Sequence, residues 1–211
     1  MNRRYNCKPD YWDDAKSFLK KSDPLMKKII QTTDNKQYLT INSTPFQTLA
    51  NAIIGQQVSV AAASSMLKKL KLGINGFSPI KVRNATDIKL KRAGLSRQKI
   101  EYLKLLSEQF VKDSRYFNNL KRLEDDLVVD ELVKLKGIGE WTAQMYLIFQ
   151  LNRPNVMPMA DIGFLNSAKK LYKIKGPIDK NLLKIAKNWG DYKTVAVWYI
   201  WRIIDPEVVQ Y

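Results

Sequence analysis

Histidine is absent from the 211 residues, and cysteine occurs once, as Cys7. Without an imidazole the chain cannot build a Ser-His-Asp or Cys-His site, and most zinc sites fall away too. A single thiol excludes an internal disulfide and any four-cysteine iron–sulfur cluster, and this usage suits a reducing interior. No apolar run approaches the roughly 18 residues a membrane helix needs. The charges at Arg3 and Arg4 are not followed by an apolar stretch, which predicts no secretory signal. Ser/Gly-rich linkers, low-complexity tracts and fixed-period repeats are missing as well. An enzyme made from these residues rests on carboxylates, hydroxyls, lysines or an external cofactor.

What is abundant is positive charge. Lys and Arg number 36 against 20 Asp and Glu, a formal net charge of +16. Hydrophobic residues make up 45% and aromatics 10%, so the charge belongs to a folding globular chain rather than a disordered basic tail. Such a surplus calls for a polyanion, nucleic acid before an acidic membrane surface.

Hydrophobic spacing predicts an all-α fold. Tyr11, Trp12, Ala15, Phe18 and Leu19 fall on one helical face, and Ser22-Asp23-Pro24 ends that helix and starts the next. Asp34 to Asn42 reads as an irregular connection. Thr44-Pro45-Phe46-Gln47 has the capping-box pattern and opens a helix that breaks at Gly55-Gln56-Gln57. Ser59 to Leu70 forms the next. Thr86 starts a short helix ending at Gly94, and Ser96 caps a longer one with Ile100, Leu103, Leu106 and Phe110 inward. Asp130 is expected to cap Glu131–Leu135. Further helices are expected over 140–150, 161–172, 179–188 and 193–203.

The most informative local feature is Lys136-Gly137-Ile138-Gly139 between two helices. Glycines permit positive φ and leave backbone uncovered. The helix that follows aims its N–H groups and positive dipole end at the same place, which suits a phosphate. Ile138 would plug the turn into the core. A ligand-free helix–helix turn is the competing interpretation, and the positive charge favours the phosphate.

Leu135-Lys136-Gly137-Ile138-Gly139-Glu140-Trp141-Thr142-Ala143 resembles the helix-hairpin-helix of the DNA glycosylase superfamily named for that hairpin, a Gly/Pro-rich loop and an aspartate. The loop Val156-Met157-Pro158-Met159-Ala160-Asp161 follows at the family distance. Phe46 to Val60, Gly94 to Lys99 and Lys193 to Trp201 are similar to the 3-methyladenine DNA glycosylase II branch. The resemblance runs from about Tyr11 to Arg202. It implies two helical lobes flanking a DNA-binding cleft: a central domain over 44–152, and a second over 1–43 plus 153–211 that carries the aspartate.

The resemblance assigns Asp161 as the catalytic carboxylate, although by residue type alone it reads as a helix cap. It places Trp141 and Trp201 at the base pocket; Trp198, three residues from Trp201 on the same helical face, is a third candidate closer to the core. Gln57, with Gln56 beside it, is the candidate DNA wedge, though some relatives have leucine in place of Gln57. Lys136, Gly137, Ile138, Gly139 and Thr142 form the phosphate-binding hairpin, where the family also implies a monovalent cation. Lys68, Lys69, Lys71, Lys169 and Lys170 are candidate phosphate contacts or plain solvated faces. Lyase relatives carry a lysine where Trp141 stands, and Lys136 lies on the wrong side to replace it, so hydrolysis without strand cleavage is expected.

The implied activity is removal of alkylated purines, 3-methyladenine or 7-methylguanine, from double-stranded DNA. No cofactor, no membrane, a monomer and an intracellular location with DNA are expected. Rival readings are a glycosylase for hypoxanthine or uracil, a hairpin protein that only binds damaged DNA, and an RNA-binding helical protein.

Overall fold

The computed structural model describes residues 7–34 and 36–203, and among these every regular element is helical. Two compact units divide the chain: Ser43–Tyr146, and the segment up to Asn42 together with the segment from Leu147 onward.

The second of these units begins with α1 (Trp12–Ser22) and α2 (Pro24–Thr32). Trp12, Ala15 and Leu19 recur at helical spacing and are buried. Asp23 ends α1 in an extended conformation and caps α2, accepting from Leu25 N and Met26 N, with Pro24 in the first turn, where its missing N–H costs nothing. The described part of Asp34–Asn42 has no helix or strand.

In the Ser43–Tyr146 unit, α3 (Pro45–Gly55) opens on the complete capping box of Thr44 and Gln47. Ser59 caps α4 (Val60–Gly73), Ser78 caps α5 (Pro79–Asn84), Thr86 caps α6 (Asp87–Arg92), and Ser96 caps α7 (Arg97–Lys112). Ile100, Leu103, Leu106 and Phe110 of α7 point into the core, as their spacing predicts. Asp113 caps α8 (Ser114–Asn119), and Phe117 stacks on Phe110 with centroids 3.5 Å apart. The expectation for Asp130 is corrected. It lies inside α9 (Asp125–Val133), which starts five residues earlier because Val128 and Leu132 together supply the buried face. Helices α5 and α8, six residues each, have no counterpart in the sequence reading, since six residues are too few to show a period; α6, of the same length, was legible from Thr86 at its start and Gly94 after its end.

α10 (Glu140–Phe149) follows the glycine turn and carries the chain across the boundary between the units. Beyond it lie α11 (Ile162–Leu171), α12 (Ile178–Ala186) and α13 (Lys193–Trp201). α13 is buried from Thr194 to Trp201, so it has no polar face and forms the centre of its unit. Trp12 meets Trp198 edge-on at 5.2 Å, joining α1 to α13.

Candidate functional site

Two constellations emerge, one in each unit. In the unit containing α13, Asp161 ends the loop that starts near Arg153. It accepts from Phe164 N as the N-cap of α11, so its cap role is real. The same oxygen, Oδ1, accepts from Trp201 Nε1 at 3.3 Å. Trp201 lies nearly parallel to Phe149, with centroids 5.8 Å apart. A half-buried carboxylate thus stands beside a largely buried indole that is itself backed by a second ring.

The loop leading to Asp161 is held by the helix that carries Trp201. Thr194 N donates to Pro154 O at 2.9 Å, Thr194 Oγ1 donates to Arg153 O at 2.6 Å, and Val156 N donates to Thr194 Oγ1 at 2.9 Å. Asp161 N donates to Pro158 O, closing a tight turn just before the carboxylate. Trp198 is placed otherwise. It is 1% exposed, packed on Trp12 and Tyr199, with the Arg202 guanidinium 4.9 Å from its ring centroid. Trp198 is therefore a core residue of its unit, whereas Trp201 meets the carboxylate.

In the Ser43–Tyr146 unit the glycine hairpin and the break after α3 come together. Gly137 has φ +91°, and a Cβ there would stand 2.2 Å from Tyr102 Cγ. Gly139 differs: it is not in the left-handed region, and a Cβ would meet nothing within 4 Å. Gly137 is demanded by the turn, whereas Gly139 keeps the approach to the loop open. Ile138 is 5% exposed and donates its N–H to Leu135 O, fixing the turn as a plug in the core. The first helical bond of α10 runs from Ala143 N to Gly139 O, so the amide-rich start of the helix adjoins the turn. Lys136 pairs with Glu101, whose hydrogen bond and charge raise the lysine pKa.

The wedge candidates separate sharply. Gln57 is exposed with φ +57°. The Gln56 side chain is half-buried and donates to Gly137 O and to Thr142 Oγ1, both at 3.0 Å. Gln56 and Thr142 side chains are thus occupied with each other and with the hairpin. Lys99 Nζ donates to Ile54 O at 2.6 Å and Gln56 O at 2.8 Å, and partial burial holds its pKa below the usual lysine value. A cavity of about 400 Å³ is walled by Gln56 and Gln57, by Ser96, Gln98, Lys99 and Tyr102, and by the turn from Gly137 to Gly139. Trp141 is half-buried on α10. Lys68, Lys69, Lys71, Lys169 and Lys170 are all exposed. Lys99, Tyr102 and Thr194 received no role from the sequence, since each acts through a partner far away along the chain.

The described residues include no group of three His, Cys, Asp or Glu able to hold a metal ion, and no helix among them is long and apolar enough to cross a membrane.

The profile of the HhH-GPD superfamily base excision DNA repair proteins matches residues 50–191. DNA-3-methyladenine glycosylase 1 of Schizosaccharomyces pombe is 32% identical over 164 residues, covering 75% of this chain and 72% of its own. The crystal structure of a DNA-3-methyladenine glycosidase from Bacillus halodurans superposes with TM-score 0.72 at 31% identity, covering 97% and 93% of the two chains. The 3-methyladenine DNA glycosylase of Schizosaccharomyces pombe, in complex with abasic DNA, superposes with TM-score 0.75 at 26% identity, covering 90% and 95%.

Proposed function

This chain belongs to the HhH-GPD superfamily of base excision DNA repair proteins, and from that premise we propose that it is a DNA glycosylase that hydrolyses the N-glycosidic bond of alkylated purines and leaves the strand uncut. The observation that carries the reading is the hydrogen bond between Trp201 and Asp161. It sets the edge of an indole ring against a carboxylate, so an aromatic ring and an anion stand side by side, the two groups this chemistry asks for.

N3- or N7-alkylation gives a purine a positive charge, and an indole face attracts a cation through its quadrupole. Trp201, backed by Phe149, is assigned that stacking role, and Trp141 shares it on the family pattern. Extruding the base from the duplex costs a few kcal/mol. Gln57 fills the gap, its amide able to hydrogen-bond the orphaned partner base. As the glycosidic bond lengthens, positive charge builds on the sugar, and the Asp161 carboxylate stabilises it electrostatically. Asp161 also accepts a proton from the attacking water. A cationic purine departs without a dedicated acid, which suits a chain with no histidine.

The hairpin grips the DNA backbone. Gly139 leaves the start of α10 uncovered for a phosphate, and the lysine surplus adds salt-sensitive attraction that is blind to sequence. A carbonyl oxygen has two lone pairs, and Leu135 O and Gly137 O spend one each on Ile138 N–H and Gln56 Nε2. Their hard-oxygen character fits a monovalent cation, which would lessen phosphate repulsion there.

The test is incubation with alkylated duplex DNA and identification of the free bases. 3-Methyladenine and 7-methylguanine are expected, with hypoxanthine- and uracil-containing duplexes as competitors. Asp161→Asn is expected to slow release at least about a thousandfold while DNA binding persists. Normal turnover by that variant refutes the assignment. No adduct is expected on borohydride treatment, because Trp141 stands where the lyase lysine would be; an efficiently trapped adduct overturns the strand-sparing part.

A further inference from the structure

The turn after α3 is built under strain. Val58 N donates to Gly55 O, closing a four-residue turn, while Gln56 has φ −55° and ψ 127° and Gln57 has φ +57°. These are the angles of a type II turn, whose third position ordinarily takes glycine. A glutamine there pays on the order of 1 kcal/mol for its Cβ, and surrounding contacts must hold it in place. Two sets of contacts do so, both on the chain that leads into the exposed residue. Lys99 ties down the carbonyls of Ile54 and Gln56, where the negative end of α3 also welcomes an ammonium. The Gln56 amide spends both protons on the hairpin, at Gly137 O and Thr142 Oγ1.

We propose that Lys99 and Gln56 are positioning residues for base extrusion: they fasten the strained turn to α7 and to the glycine hairpin, so that Gln57 enters the base stack at a place fixed by the phosphate the hairpin holds. This rests on the glycosylase reading. Gripping the backbone and filling the gap then belong to one rigid piece, and neither lysine nor glutamine needs to touch the reacting atoms. A strained tip left unfastened would spend its time in other conformations, and binding energy would go into ordering it rather than into opening the duplex.

The experiment measures single-turnover base release at saturating protein on two duplexes, one with 7-methylguanine correctly paired and one with it mismatched. A mismatched base is already partly unstacked and asks less of the wedge. Lys99→Met and Gln56→Met are expected to lose roughly tenfold on the paired duplex and far less on the mismatched one, as Gln57→Gly does. Equal losses on both duplexes, or none, overturn the proposal. A 2-aminopurine beside the lesion reports unstacking without any chemistry. The wild-type protein is expected to raise its fluorescence on binding, and both variants to blunt that rise. A rise shared by all three proteins, or absent from the wild type, also overturns the proposal. If the wild-type protein unstacks the duplex yet releases no base, the glycosylase reading falls, and the fluorescence comparison still decides the positioning role. If Lys99→Met does not melt cooperatively, Gln56→Met decides alone.

Discussion

Gly137 and Gly139 look alike in the sequence and do different work. At Gly137 an added methyl meets both a left-handed φ and the Tyr102 ring, so Gly137→Ala is expected to cost about 1–3 kcal/mol of stability. At Gly139 there is room and no left-handed φ, so Gly139→Ala is expected to fold within about 0.5 kcal/mol of the wild type yet bind DNA less tightly, because the methyl covers the loop. Urea unfolding and DNA titration on the two variants separate these outcomes; equal stability losses would refute the distinction. The glycine turn, the capping carboxylate of Asp161 and the break that holds Gln57 were legible in the sequence because each belongs to a short motif. Gln56 was not, since adjacent glutamines carry no sign of which one turns inward. Nor was Lys99, whose two acceptors lie 45 and 43 residues earlier in the chain.

Caps made several of the helices readable. Thr44, Ser59, Thr86, Ser96 and Asp161 each accept a backbone N–H at a helix start, and their residue types announce this. Asp130 shows the limit of that signal: the same residue type inside a helix caps nothing, and burial of Val128 and Leu132 decides. Asp23 shows the opposite limit, a cap that does more than its motif reveals. Oδ1 accepts from Leu25 N and Met26 N at 2.9 and 3.1 Å, while Oδ2 accepts from Tyr172 Oη at 2.7 Å and Trp189 Nε1 at 3.1 Å. Removing a 3% exposed carboxylate with four donors leaves buried groups unsatisfied, so Asp23→Ala is expected to cost roughly 3 kcal/mol. A loss below about 1 kcal/mol in urea unfolding, the worth of a cap alone, would reduce Asp23 to that one duty.

At the scale of the whole molecule, buried phenols set an alkaline limit. Burial pushes Tyr116 up to about 12, with the Glu131 charge adding to the shift, and pushes Tyr199 up to about 12 as well. Tyr11 and Tyr172 are raised further still, Tyr172 partly through its bond to Asp23. In the unfolded chain a phenol ionises near pH 10. Between about 10 and 12 the unfolded state therefore loses protons that the folded state keeps, and stability falls as pH rises. The phenolate absorbance of these four is expected to appear together with the loss of helical circular dichroism. Their complete ionisation in a protein that keeps its helical signal would contradict the burial.

The buried Asp23 node has a consequence for how the chain comes to be folded. Its partners Tyr172 and Trp189 are made 149 and 166 residues later, and α1 also needs α13 to cover Trp12. Ser43–Tyr146 is one uninterrupted stretch and can close as soon as it clears the ribosome. Helices α1 and α2 emerge before it yet wait, with apolar faces bare, until α13 has been made, so this pair is where a nascent chain most needs a chaperone.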